Sequence, residues 1–153
     1  MIALIQRVSS ASVSVAGRRI GAIDTGILAL IGVQPRDDEG STERLLERLL
    51  GYRIFPDEQG RMNRSLRDIG GGLLLVPQFT LAADTHKGTR PGFSTAAAPA
   101  EAERLFGQLC AAARRSHPHI ETGQFGADMQ VALVNDGPVT FWLQSGADSA
   151  GGN

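Results

Sequence analysis

Apolar and polar positions alternate with a period of two over residues 2–9. Ile2, Leu4, Gln6 and Val8 share one face there, and Ala3, Ile5, Arg7 and Ser9 the other. That period predicts a strand with Arg7 near its end. Residues 12–16 alternate again through Val13 and Val15, and Gly17-Arg18-Arg19 predicts a hairpin turn before a return strand over 19–24. Residues 26–33 are almost continuously apolar, as expected of a strand buried on both faces. Beyond a polar loop, Asp37, Asp38 and Ser41 are candidate helix caps. Leu45, Leu46, Leu49 and Leu50 form the stripe of an amphipathic helix reaching Leu50 or Tyr52. A short strand over 52–55, a turn over 56–60 and a basic segment over 61–67 follow.

The triplet Gly70-Gly71-Gly72 introduces Leu73-Leu74-Leu75-Val76, a buried strand. It reads as a turn, because a phosphate-binding loop would add a lysine and a following helix. Pro77 is expected to end regular pairing or to sit at a bulge or edge. Residues 82–98 lack apolar periodicity and read as a long loop, a kind of segment that often carries function. A second helix is predicted over 98–115, with Pro99 in its first turn, Arg114 and Arg115 in its last, and Leu105, Phe106, Leu109, Cys110 and Ala113 on its core face. Strands are predicted over 119–122 and 128–134. Asn135-Asp136-Gly137-Pro138 is dense turn chemistry before the apolar run Phe141-Trp142-Leu143. Its plainest reading is a turn that ends one strand and begins another. A Gly-Pro pair can also hold two carbonyl oxygens in a fixed, unusual direction, since glycine reaches backbone angles closed to other residues and proline fixes φ.

The chain's 153 residues suit one α/β domain, expected over 1–143, with the Gly/Ser/Asp-rich residues 144–153 expected to be a disordered tail. No apolar run approaches the ~20 residues of a bilayer span. The first residues lack the basic start and cleavage site of a signal peptide. The single cysteine cannot form an internal disulfide and fits a reducing compartment, so a cytoplasmic location is expected. Net charge is −1, which gives no global field for nucleic acid. The cations are arginine apart from Lys87. Arginine favours bidentate contact with phosphate or carboxylate, although codon bias produces the same skew.

Candidate chemistry is sparse. His86, His117 and His119 are the only histidines, and no third ligand stands at a recognisable spacing from the close pair His117 and His119. Neither a metal nor another cofactor is expected. No Gly-x-Ser-x-Gly elbow is present. Thr80 stands beside Gln78 and Phe79, but a threonine nucleophile needs an adjacent base, and the local sequence offers none. From the residues alone, the chain is a small α/β domain with two polar turn motifs after buried strands, and no reaction is named.

Six separated stretches, in order, resemble the D-aminoacyl-tRNA deacylase family. They are Ile5-Gln6-Arg7-Val8, Arg53-Ile54-Phe55 with Gly60-Arg61-Met62-Asn63, Gln78-Phe79-Thr80-Leu81, Arg90-Pro91-Gly92-Phe93-Ser94, Phe125-Gly126-Ala127-Asp128-Met129, and residues 135–140. The resemblance implies a mixed, barrel-like sheet flanked by two main helices. It also implies a homodimeric hydrolase that cleaves D-aminoacyl-tRNA and glycyl-tRNA at the ester of the 3′-terminal adenosine. Gln78, Phe79 and Thr80 match the family's catalytic pocket motif, and Phe125 and Met129 join the substrate-binding set. Gly137 and Pro138 match a cis Gly-Pro pair that each subunit lends to its partner's site to exclude L side chains, and Arg7 matches the arginine that holds it. Thr80 is either a nucleophile or a pocket residue beside backbone groups and the tRNA 2′-hydroxyl, and the missing base favours the second. Pro77 departs from the family's usual serine. A related animal group has proline there, but with alanine in place of the phenylalanine and a trans Gly-Pro, so Phe79 and Arg7 keep this chain with the D-specific group. Two competing readings are a hydrolase of free D-amino-acid esters and a non-catalytic nucleic-acid-binding module.

Overall fold

The computed structural model describes residues 1–146. In chain order the elements are β1 (Ile2–Val15), β2 (Arg18–Ile23), β3 (Gly26–Gly32), α1 (Glu39–Gly51), β4 (Phe55–Pro56), β5 (Met62–Arg64), α2 (Leu66–Ile69), β6 (Gly72–Pro77), a 3-10 turn (Phe79–Ala82), α3 (Pro99–Ser116), β7 (Ile120–Thr122) and β8 (Gln130–Gln144). The main sheet runs β2-β1-β3-β6-β7, with β8 also paired to β1. β3, β6 and β7 are parallel neighbours, and the pairings of β1 are antiparallel. The two ends of this path come together. A Cβ placed on Gly21 of β2 would touch Glu121 Cβ and the Thr122 carbonyl of β7 at 3.4 Å. The sheet is therefore a nearly closed barrel in a mixed α/β domain, as expected.

Two apolar cores follow from strand alternation. Inside the barrel lie Val8, Ala11, Val13, Leu28, Leu74 and Val76. Outside it, Ala3, Ile5, Ile27, Ala29, Leu73 and Leu75 pack under the helices. The predicted helix stripes are both in place: Leu45, Leu46, Leu49 and Leu50 of α1, and Leu105, Phe106, Leu109, Cys110 and Ala113 of α3, are all buried against this outer face. Asp38 caps α1 by accepting from Ser41 N at 2.8 Å, while Ser41 Oγ accepts from Asp38 N, a reciprocal capping box. The glycine triplet is a turn. Gly70 ends α2 at φ +63°, and Ile23 leaves no room for a Cβ on Gly72. Buried His117 donates through Nε2–H to the Gly71 carbonyl at 2.6 Å, which gives this histidine a structural partner.

Three expectations about element boundaries are corrected here. Residues 2–9 and 12–15 belong to one strand, β1, with Ala16 already in the turn after it, and the face toward the barrel interior switches between Val8 and Ala11. The switch coincides with irregular pairing around Ser9, so the break in periodicity marks a bulge. The short strand expected over 52–55 is confined to Phe55–Pro56. The ordered chain also passes the expected boundary at 143. β8 continues through Gln144, and buried Ser145 donates from its backbone N–H to Met1 O and from Oγ to Ser41 O at 2.8 Å each. The Met1 ammonium in turn donates to Asp37 Oδ1 and to the Ser145 carbonyl. The rest of the expected tail, 147–153, lies outside the described residues.

Burial pushes the Cys110 thiol up to about 11, against a weaker opposing pull from Arg114. A thiol raised that far is neutral at pH 8, and the thiolate is the reactive form. Cys110 is therefore expected to resist iodoacetamide in the folded protein and to react once urea unfolds it. Mass spectrometry of the native and denatured protein checks this, and rapid native labelling at pH 8 would contradict the packing of α3.

Candidate active site

Strand β6 delivers the chain to Pro77, which still pairs with Ile31 at the end of the ladder. Gln78 N then donates to Ile31 O at 2.7 Å, and the backbone tightens into the 3-10 turn. This turn rests on the end of β3, where a Cβ on Gly32 would meet Leu81 Cβ at 3.0 Å. The first N–H groups of a helical turn have no acceptor within it, and the Gln78 side chain supplies no cap. With Gln78 N already paired to Ile31 O, the backbone donors at this lip are those of Phe79 and Thr80, at the start of the turn.

That lip borders a cleft of about 490 Å³. Gln78, Phe79, Phe125 and Met129 line it, so four of the expected site residues come together. Phe125 is braced by Phe106 of α3 at a ring separation of 6.4 Å. Met129 Sδ accepts from Gln124 N at 3.4 Å, and a Cβ on Gly123 would meet both Met129 Sδ and Pro77 Cδ. Pro77 therefore forms part of the cleft wall. Thr80 is exposed and does not line the cleft; its hydroxyl oxygen accepts from Gln78 Nε2 at 2.5 Å. An amide in either orientation is no base, so this contact does not activate Thr80 for attack. Asp128 supplies the cleft's carboxylate. Asp128 lies in the stretch 125–129, where a lone exposed aspartate has no distinguishing spacing.

Arg7, Gly137 and Pro138 are elsewhere on the chain. None of them lines the cleft. The run 135–138 does not reverse the chain, contrary to the plain reading. β8 pairs antiparallel with β1 on both sides of it, with Gln6 opposite Thr140 and Val8 opposite Asn135, so the segment is extruded from a continuing strand opposite Arg7. The Gly137-Pro138 bond is cis, and both residues are exposed. Arg7 Nε donates to Asp136 O at 3.0 Å, and its Nη1 donates to Ile54 O at 2.8 Å. Asn135 closes the loop from within: its Oδ1 accepts from Val139 N at 2.7 Å and its Nδ2 donates to Thr140 Oγ1 at 3.0 Å. Asn135, expected as turn chemistry, serves instead as this brace, and its four-residue spacing to Val139 is the only trace of that role in the sequence.

A larger concavity of about 750 Å³ lies between the ends of β2 and β7, lined by Asp24, the glycine triplet, His119, Glu121 and Asp136. Its carboxylates would repel a phosphodiester, and it contains none of Gln78, Phe79 or Thr80. Among the described residues, no group of three His, Cys, Asp or Glu is placed to hold a metal ion. Nor is any helix among them long and apolar enough to cross a membrane.

The D-Tyr-tRNA(Tyr) deacylase family model matches residues 4–144. A D-aminoacyl-tRNA deacylase of Alkalilimnicola ehrlichii is 63% identical over 150 residues, covering 98% of this chain and 100% of the relative. One of Stutzerimonas stutzeri is 62% identical, covering 95% and 100%. A solved structure described as a c-Myc DNA Unwinding Element Binding Protein superposes with a TM-score of 0.91 at 39% identity, covering 96% of this chain and 100% of that one. A probable eukaryotic D-amino acid tRNA deacylase shares the fold, with a TM-score of 0.80 at 16% identity over 93% and 97% of the two chains. With a family model spanning nearly the whole chain and relatives above 60% identity along it, the chain belongs to the D-aminoacyl-tRNA deacylase family.

Proposed function

We propose that this enzyme hydrolyses the ester of D-aminoacyl-tRNA and glycyl-tRNA and that a homodimer completes its site, with Gly137 and Pro138 of one subunit entering the cleft of the other. The observation that carries this reading is the separation of the two halves. The loop is exposed, tied down by Arg7 and Asn135, and absent from its own chain's cleft. The strand that bears it also presents Val134, Phe141 and Trp142 to solvent, apolar surface suited to a second copy. Within the cleft, the terminal adenosine fits between Phe125, Met129 and the start of α3. The backbone donors at Phe79 and Thr80, at the edge of the cleft, would serve the oxyanion of a tetrahedral intermediate. The tRNA's own 2′-hydroxyl assists the attacking water, and Thr80 shapes the pocket through Gln78. Function in the cytoplasm, where tRNA is charged and used, goes with this role.

The name of the 39%-identical neighbour favours one second reading, DNA binding. The net charge of −1 supplies no general attraction for a duplex. The deciding assay compares D-Tyr-tRNA, Gly-tRNA and D-tyrosine ethyl ester as substrates, alongside duplex-DNA binding at about 150 mM salt, near physiological ionic strength. Turnover of both charged tRNAs well above that of the ethyl ester is expected. Equal turnover of the ethyl ester would make the protein a D-amino-acid esterase, and DNA binding without turnover would make it a binding module.

A further inference from the structure

Two aromatic rings outside the cleft's interior are left in solvent. Phe79 is 57% and Phe93 47% exposed, and their rings lie 5.4 Å apart at a tilt of 48°. Phe79 lines the cleft and Phe93 does not, so the pair carries the cleft's apolar wall outward onto the surface. Phe93 directly follows a loop whose stem is fixed. Asp84 and Gly92 exchange two backbone hydrogen bonds of 2.8 and 2.9 Å, and Thr95 Oγ1 donates to Ala82 O at 2.6 Å. Residues 85–91 between those anchors are all exposed. They carry Lys87, the chain's one lysine, and Arg90. Among the described residues neither cation forms an ion pair, while the loop's own carboxylate, Asp84, is engaged by His86 N and Nδ1 at 3.0 and 2.8 Å.

An exposed aromatic pair with unpaired cations on the adjoining loop is the composition that holds single-stranded nucleic acid: bases stack on the rings and phosphates meet the cations. The platform begins at the lip of the cleft, which fixes which part of a strand can reach it. Resting on the reading that the cleft holds the terminal adenosine, we propose that Phe93 stacks the base of the penultimate nucleotide of the tRNA and that Lys87 and Arg90 hold the phosphates on either side of it. The amino acid and terminal adenosine are then recognised inside the cleft, and the unpaired end that leads to them is recognised outside it.

The test uses three substrates of increasing reach: 3′-O-D-tyrosyl-adenosine, the trinucleotide CCA carrying D-tyrosine, and D-Tyr-tRNA. Phe93→Ala is expected to raise KM about tenfold for the trinucleotide and the tRNA, the scale of one lost base stack, with kcat unchanged. The adenosine ester, which has no penultimate nucleotide, is expected to keep its KM. Phe93→Tyr restores stacking and is expected to behave as the unsubstituted enzyme. Lys87→Ala combined with Arg90→Ala is expected to flatten the slope of log KM against log salt by about 1.4, at roughly 0.7 per phosphate on a single strand. An equal loss on all three substrates would overturn the proposal by making Phe93 a support of the cleft. No loss on any substrate, an unchanged salt slope, or a shift in oligomeric mass in Phe93→Ala would overturn it too, the last by assigning the platform to the partner subunit. If the unsubstituted enzyme cleaves none of the three, the reading of the cleft fails first and this proposal with it.

Discussion

Deacylation of D-Tyr-tRNA is expected to fall about 10²–10⁴-fold when the terminal adenosine carries a 2′-deoxyribose, the range that a positioned acid or base contributes. Thr80→Ala is expected to fall only tenfold to a hundredfold, about 1.4–2.7 kcal/mol of transition-state stabilisation. The contrast follows from the cleft. Thr80 Oγ1 meets an amide at 2.5 Å and no base, so removing it disturbs the turn without removing an attacking atom. Backbone donors at the 3-10 turn can stabilise charge but cannot take a proton from water. Asp128 is the rival acceptor, since it is the cleft's carboxylate. Single-turnover rates for the two tRNAs with unsubstituted enzyme, Thr80→Ala and Asp128→Asn separate these routes. Full activity on the deoxy substrate, an acyl-enzyme trapped on Thr80, or a loss in Asp128→Asn that matches the deoxy effect would each refute the substrate-assisted route.

Arg7→Ala is expected to lower D-Tyr-tRNA turnover at least tenfold and to shrink the D/L ratio by about two orders of magnitude. A ratio of 10⁴ requires about 5.5 kcal/mol. Favourable contact with one extra apolar group supplies only ~1–3 kcal/mol, so exclusion by fixed backbone is the better source. Fixity here comes from two guanidinium hydrogen bonds to the Asp136 and Ile54 carbonyls, from an arginine side chain only 13% exposed. Bonds from a charged donor are worth about 1.5–3 kcal/mol each. Arg7→Lys cannot reproduce the planar fork and is expected to fall between the two. Gly137→Ala attacks the loop from inside. At φ +145°, its Cβ would lie 2.5 Å from Val139 Cγ2 and 2.8 Å from Val139 N, so the backbone must move. Loss comparable to Arg7→Ala is expected. Glycyl-tRNA, with no side chain to exclude, is expected to be cleaved by the unsubstituted enzyme. Unchanged D-activity with intact L-rejection in both variants would place chiral selection elsewhere.

The two long helices were legible because Leu45–Leu50 and Leu105–Ala113 repeat their apolar positions at helical spacing and little else competes, whereas α2, a single turn over Leu66–Ile69, is too short to show a period. The buried strands at Gly26 and Gly72 were legible as continuous apolar runs. What was not legible depended on pairing. Nothing local distinguishes a bulge within β1 from the end of one strand and the start of another. Asn135-Asp136-Gly137-Pro138 has the chemistry of a reversal, and only β1, pairing on both sides of it, keeps the strand going. The cleft was legible through motif resemblance rather than spacing, since the whole of α3 separates Gln78 from Met129 along the chain. Phe93 was visible only as a motif member; its stacking on Phe79 is a tertiary fact.

The extruded segment also decouples the two halves of β8. Between the pairs Gln6 with Thr140 and Ser10 with Val134, β1 advances four residues and β8 six. Leu143 packs in the outer core, whereas Leu133, at the same parity along β8, packs against the inner one. The segment thus absorbs an exchange of faces that a continuous ladder would forbid. It acts as a clutch between two registers, and a residue added within 135–139 is expected to stay in the loop and leave both cores as they are.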